Sequence, residues 1–380
     1  MSDFEDRRLA DIPNTETRVA EFDLRVRRGS DDEVRLTLLE AMGDTFPPLR
    51  HRAALAASER DDESLDEILR VLALGEAEEA VELADAMGLD PRLVPAPQSE
   101  VRQAACLGLR GSHTEQTRQT LLEAADDDEA DVRYQALVSL HDLGVADEAI
   151  AELIDRRLQD EDPEVVVVAA QIATQRGWTD RAQTIAERWQ ELEGSDRLQL
   201  ALSLAELIGE HDVKLPGDQT SQLIDELIEA LEDEETIAGA TQGLVQLGAD
   251  RAIEPLKDVL GRWFAHPILK VEVAAALHVL GDADGTVYLE KMLHGSRKDA
   301  RGYTLRLIGR LRISAYFDEV AQVAQSDDYH ADTAVLALGD YGGEEGRAVL
   351  EDVAKAHPDE EVRKLAASEL QRADELGSLG

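Results

Sequence analysis

Cysteine is nearly absent: Cys106 stands alone in 380 residues. One thiol cannot close an intrachain disulfide, which suits a reducing cytoplasm. Lysine is almost as scarce. The 39 basic residues comprise 32 arginines and seven lysines, at positions 214, 257, 270, 291, 298, 355 and 364. No apolar run approaches the roughly twenty residues of a membrane span, and the longest tidy one is only Val165–Ala170. The opening MSDFEDRRL lacks the basic and apolar regions of a signal peptide, so none is expected. The nine histidines come no closer than His266 and His278, 12 residues apart, so no helix offers an i, i+4 pair of metal ligands. No glycine-rich phosphate loop is present, since GDYGGEEG (339–346) carries acids where a phosphate needs donors. No Ser-His-Asp arrangement stands out, and Cys106 lies in a small-residue stretch that reads as a packed thiol. The expectation is therefore no catalytic residue, no metal, no cofactor and no enzyme activity.

What the chain does have is acid. Asp and Glu number 81, for a formal net charge of −42. Such a surface repels itself in dilute salt and is tolerable where screening is short-ranged. It also argues against nucleic acid as a partner, because nucleic-acid binding needs a broad basic surface. Acid-rich, lysine-poor and arginine-retaining composition resembles that of extreme halophiles, haloarchaea in particular.

The second positive feature is repetition. The stretch Lys270–Gly285, KVEVAAALHVLGDADG, reads as a small-residue helix closed by Gly281, an acidic turn, and a new helix opening at Thr286. Related strings recur, among them DEVRLTLLEAMG (32–43), SEVRQAACLGLRG (99–111), ADVRYQALVSLHDLG (130–144), PEVVVVAAQIATQRG (163–177), DARGYTLRLIGRL (299–311) and EEVRKLAASEL (360–370). Val101, Val132 and Val165 are spaced by 31 and 33 residues, and Gly281, Gly309 and Gly339 by 28 and 30. Two helices per period of about 30 predict an all-α solenoid of stacked antiparallel helix pairs. An acid or hydroxyl before each apolar run can cap the helix, as Asp31 or Asp32 can for the run at 32–43, and glycine after it permits a left-handed close.

The D/E-x-V-R-x-x-A-x-x-x-L strings followed by L-G-D-x-x-G resemble HEAT repeats of the short kind associated with phycobilisome lyases. The resemblance covers residues 96–375 well and 1–95 loosely. It implies a solenoid, but this repeat serves scaffolds, transport factors and enzymes alike. The readings it leaves are a scaffold or adaptor protein, an adaptor in archaeal taxis or motility signalling, and a lyase or enzyme-maturation factor. A HEAT-repeat family of iron hydroxylases uses His-Glu dipeptides, and this chain has none.

Three segments are expected: less regular helical repeats over 1–95, a regular array over 96–375, and a frayed tail over 376–380. Pro91, Pro95 and Pro97 mark the strongest candidate break. Arg35, Arg102, Arg133, Arg301 and Arg363 each follow a helix start. In HEAT arrays such arginines commonly bridge to an acid of the adjacent repeat, so these five are assigned a structural role. The segment 263–341 departs from the background. It holds eight of the fourteen aromatics and eight bases against eleven acids, so it carries −3 while the other 301 residues carry −39. Aromatics and arginines at low net charge are what interface cores contain. Helical geometry places Arg306 and Arg310 on one side of their helix, away from Arg301. The other reading is that these tyrosines and tryptophans fill gaps between repeats and the bases pair with nearby acids; if the segment is an interface, the expected protein-binding group is Arg306, Arg310, Tyr303, Arg312, Trp263 and Phe264. The reading is a cytoplasmic scaffold that binds another protein along the inner surface of the second helices, with neither nucleic acid nor membrane as partner.

Overall fold

The computed structural model describes residues 8–144, 148–263 and 265–378, with side chains through Asp374. Among these residues there are twenty-two α-helices and no strand. They divide into two compact units, with the division between Leu204 and Ala205. The first unit holds α1 (Thr15–Arg28), α2 (Asp31–Met42), α3 (Pro47–Ser58), α4 (Glu63–Ala73), α5 (Ala77–Ala86), α6 (Ser99–Gly108), α7 (Glu115–Ala124), α8 (Ala130–Asp142), α9 (Glu148–Arg157), α10 (Pro163–Gln175), α11 (Ala182–Glu191) and the first part of α12 (Gly194–His211). The second holds the rest of α12, then α13 (Gln219–Glu229), α14 (Ile237–Gln246), α15 (Ile253–Gly261), α16 (Pro267–Val279), α17 (Ala283–Leu293), α18 (Lys298–Arg310), α19 (Phe317–Gln325), α20 (Ala331–Tyr341), α21 (Gly343–Ala356) and α22 (Glu360–Ser378). The tail expected over 376–380 thus begins as helix, and residues 379–380 lie outside the described residues.

Local chemistry sets the helix ends. Ser30 and Glu33 form a reciprocal capping box at the start of α2, so the cap falls one residue before the aspartates expected to supply it. Asp162 accepts from the amides of Glu164 and Val165 at the head of α10, where Pro163 fills the first turn without needing a donor. The acidic turn after α16 opens the next helix earlier than expected. Asp282 caps α17 through the Asp284 amide, and Thr286 lies inside the helix with its hydroxyl 2.7 Å from His278 Nδ1.

Gly281 closes α16 with φ +83°, in the region glycine enters without strain. The glycines used to count the period are not all equivalent to it. Gly309 lies within α18, where a Cβ would sit 2.2 Å from the Ala337 carbonyl oxygen of α20. The residue that turns left-handed after α18 is Arg312, at φ +50°, and after α20 it is Gly342, at φ +67°. Gly281, Arg312 and Gly342 are 31 and 30 residues apart, so the repeat is more even than the glycine spacing implied.

Within the second unit the second helices of successive pairs stack on one another, α14 on α16, α16 on α18, α18 on α20 and α20 on α22. They run parallel, because Gly302 faces His330 and Thr333 while Gly309 faces Ala337. Small residues permit this approach. Leu305, Ile308, Val335 and Leu338 fill the seam and are fully buried, each contributing on the order of 1.5–3 kcal/mol of transfer free energy.

In the first unit α4, α6, α8 and α10 stack in the same way. Before this stack, α3 packs on α2 and α6, and α5 is laid against α4. The proline-rich connection is tied down there, since a Cβ on Gly43 would meet Pro95 at 2.7 Å.

Candidate interaction surface

Four of the five recurrent arginines grip backbone carbonyls of the chain just before their own helix. Arg102 donates to the Pro97 carbonyl at 3.0 Å, Arg133 to those of Asp127 and Asp128 at 2.9 Å, Arg301 to that of Leu293 at 2.9 Å, and Arg363 to that of His357 at 2.5 Å. Four of the five also reach an aspartate of the next pair. Arg35 meets Asp62 at 2.8 Å, Arg102 meets Asp127 at 2.8 Å, Arg133 meets Asp160 at 2.6 Å and Arg301 meets Asp328 at 2.8 Å. Three of these carboxylates further accept from the amide two residues on, at Glu129, Asp162 and His330. Burial alone would raise Asp160, but Arg133 and the Asp162 amide outweigh it and hold the carboxyl below its usual range. Arg363 has no aspartate partner among the described residues.

The expected binding group does not form one patch. Tyr303 on α18 donates to Glu272 on α16, and burial followed by that carboxylate pushes its hydroxyl up to about 12. Arg306 closes an ion pair with Asp340 on α20 at 2.8 Å, and Arg372 on α22 reaches the same carboxylate at 3.4 Å. Arg306 is thus held within the array, whereas Arg310, one turn on, is exposed with no carboxylate partner among the described residues. Arg312 is exposed at the C-terminal end of α18. Trp263 lies at the other end of the parallel stack, in the loop leading into α16, and is 91% exposed. A 13-residue helix of about 20 Å separates those two ends. Phe264 lies outside the described residues.

Most aromatics of the 263–341 segment serve packing. Tyr288, Tyr303, Tyr316 and Phe317 sit against the apolar core, and Tyr341 lies against Phe317 with ring centres 4.8 Å apart. Trp263 and Tyr329, the latter 71% exposed, do not. Both lie where the first helix of a pair turns into the second, on one edge of the second unit.

That edge also holds a cluster that the sequence reading passed over. Antiparallel pairing brings Lys270, in the first turn of α16, opposite Lys291, in the last turn of α17. The chain then turns directly through Arg297 and Lys298 into α18. Lys291 lies 6.0 Å from the Tyr288 ring centre, and Lys298 sits 3.9 Å over that of Tyr329. Burial first, then the neighbouring Lys291 and Arg297 charges, lowers the Lys270 ammonium from its usual value. None of the four cations has a carboxylate partner among the described residues. Past Tyr329 the edge becomes acidic, in a groove of about 720 Å³ lined in part by Asp327, Asp332, Asp359, Glu361 and Lys364. The signal available in the sequence was the placement of three of seven lysines between 270 and 298.

Cys106 is fully buried and its thiol is pushed up to about 12, chiefly by desolvation, which keeps it protonated and unreactive. Among the described residues no group of three His, Cys, Asp or Glu side chains could hold a metal ion. No helix among them is long and apolar enough to cross a membrane.

Residues 86–175 and 285–371 match the family described as HEAT repeats. With the stacked helix pairs of both units, this makes the chain an all-α protein of the α-solenoid class carrying HEAT repeats. Similar solved structures include a homology model of the full-length AP-3 complex in an intermediate open conformation, at 14% identity over 94% of this chain and 71% of that one, with a TM-score of 0.48. Kap121p is 13% identical over 95% of this chain and 52% of that one, with a TM-score of 0.32. Human deoxyhypusine hydroxylase in complex with glycerol is 18% identical over 79% of this chain and 97% of that one, with a TM-score of 0.27. No curated protein matches the chain.

Proposed function

We propose that the chain is a non-enzymatic protein-interaction scaffold of a saline cytoplasm, and that its second unit carries the partner-binding surface. The observation behind this is the combination of exposed aromatics with unneutralised cations in that unit, in a chain with twice as many acids as bases. Exposed Trp and Tyr beside Arg and Lys are the residues that anchor protein interfaces. Arg310, Arg312 and Trp263 are available to such a partner, with Tyr303 and Arg306 positioning the surface through Glu272 and Asp340. Stacked repeats present surfaces long enough for an extended partner.

The test is affinity capture by the full chain at molar salt, followed by reconstitution with the purified captured protein and hydrogen-exchange mapping. New protection confined to residues 263–341 and their neighbours is the expected result. Absence of any stoichiometric protein, or protection only in the first unit, would overturn the proposal.

A further inference from the structure

The four cations on the turn edge are conspicuous because they stand together with no carboxylate partner among the described residues, whereas other lysines of the unit are neutralised. Lys257 is shared by Asp282 and Asp284, Lys355 meets Glu351, and Lys364 meets Glu360 and Glu361. Of the four lysines without a carboxylate partner among the described residues, Lys270, Lys291 and Lys298 lie together and Lys214 lies elsewhere. The helix-pair topology forces this grouping, because the end of α17, the start of α18 and the start of α16 meet at one edge. Like charges placed together without counter-ions destabilise the free protein. Carboxylates arriving from outside would remove that repulsion. Exposed rings bound the cluster, with Trp263 in the loop before Lys270 and Tyr329 beneath Lys298.

We infer that the edge formed by Lys270, Lys291, Arg297 and Lys298, flanked by Trp263 and Tyr329, binds an acidic peptide segment of a partner protein. Carboxylates of the segment meet the four cations, and an apolar or aromatic side chain packs on the exposed rings. This rests on the scaffold reading above and names the chemistry of its partner. A nucleic acid fits less well. Its phosphates would continue past Tyr329 into Asp327, Asp332 and Asp359, and its affinity relies on a long basic track and falls steeply with salt. A short acidic segment needs only the cluster. At molar salt the Debye length is about 3 Å, so the bulk negative charge no longer repels it while direct contacts survive.

The experiment uses the full chain at about 1 M KCl and fluorescence anisotropy. The probes are a labelled Asp/Glu decapeptide with a central Phe, its Lys counterpart, and a single-stranded DNA decamer. Lys291→Glu plus Arg297→Glu reverses two exposed members of the cluster. Lys355→Glu plus Lys364→Glu makes the same change in net charge elsewhere in the unit. The expected result is saturable binding of the acidic peptide alone, weakened about tenfold or more by the first variant and less than about twofold by the second. No saturation by the acidic peptide, equal loss in both variants, or DNA binding as tight as peptide binding would each overturn the inference. The same variants in the capture assay separate the two proposals. Undiminished capture by the folded Lys291→Glu/Arg297→Glu protein overturns the acidic-peptide assignment and leaves the scaffold standing, whereas failure of capture by the unaltered chain removes the scaffold.

Discussion

Asp127→Asn isolates one rung of the arginine–aspartate ladder, and Cys106 reports on it. Asp127 receives Arg102 Nε on one oxygen and Arg102 Nη2 on the other, both at 2.8 Å. The second oxygen also takes the Glu129 amide. Asparagine keeps an oxygen for that amide but turns an NH2 toward Nε, so one donor faces another. Charge-assisted bonds contribute about 1.5–3 kcal/mol each, and breaking a fully buried pair costs about 3–5 kcal/mol. This pair retains 18% and 12% side-chain exposure, so the lower part of that range applies, about 2–3 kcal/mol. The 380-residue chain is not expected to unfold in one step, so a global midpoint would blur the effect. Cys106 avoids that difficulty. It is fully buried in α6, and its carbonyl accepts from Ser139 of α8 at 2.9 Å, across the seam that Arg102 and Asp127 clamp. A thiol-specific reagent reaches it only when that seam opens, so the labelling rate tracks the opening free energy. At 1.4 kcal/mol per decade, labelling should accelerate about 25-fold to 140-fold. Glu82→Gln, on the exposed face of α5, changes net charge equally and should leave the rate unaltered. A Asp127→Asn rate within about threefold of the Glu82→Gln rate would refute the ladder as a source of stability.

Gly309→Ala places a methyl 2.2 Å from the Ala337 carbonyl oxygen and should cost about 3 kcal/mol in the second unit. Gly261→Ala, with open space around its Cβ, should be neutral or slightly stabilising; equal thermal shifts for the two would refute the close packing of α18 on α20. Asp127, Asp160 and Asp328 are all held below the usual carboxylate range. Their stabilisation is complete above the unfolded value near 4 and is lost as pH falls through the depressed folded values, so helicity should fall below about pH 4. Helicity unchanged on acidification to about pH 2 would contradict that sign. With a net charge of −42, the denaturation midpoint should climb steeply as KCl shortens the Debye length from about 10 Å to 3 Å. A flat response from dilute to molar salt would remove the basis for a saline host.

The architecture was legible in the sequence because its cause is local. Strings such as ADVRYQALVSLHDLG carry the helix start, the small-residue seam and the left-handed close together. The recurrent arginines stood out for the same reason. Their acceptors did not, because Asp62, Asp127, Asp160 and Asp328 look like any others among 81 acids. What distinguishes them is a register of 25 to 27 residues to the arginine, visible only once the helices are stacked. Arg312 at positive φ is not legible in the sequence, because a left-handed turn is marked there only by glycine. Angular reasoning along one helix separated Arg301 from Arg306 and Arg310. It carried no information about Asp340 on the neighbouring helix, which distinguishes Arg306 from Arg310.

That distinction extends to the cations as a group. Where acids outnumber bases twofold, four cations that share one edge and find no carboxylate among the described residues are kept from the acids by the geometry of the chain. The ladder uses arginine, whose planar fork satisfies two carboxylate oxygens and still reaches a loop carbonyl. Lysine has no such fork, and its ammonium is strongly hydrated. Three lysines and an arginine left at a hairpin edge therefore add nothing to the stacking, and at Lys270 burial first, then the neighbouring charges, lower the ammonium from its usual value. A surface that costs stability and is bounded by exposed rings is accounted for when a ligand supplies the missing charge. The ladder holds the repeats in register, and the edge is where that register brings otherwise isolated cations together.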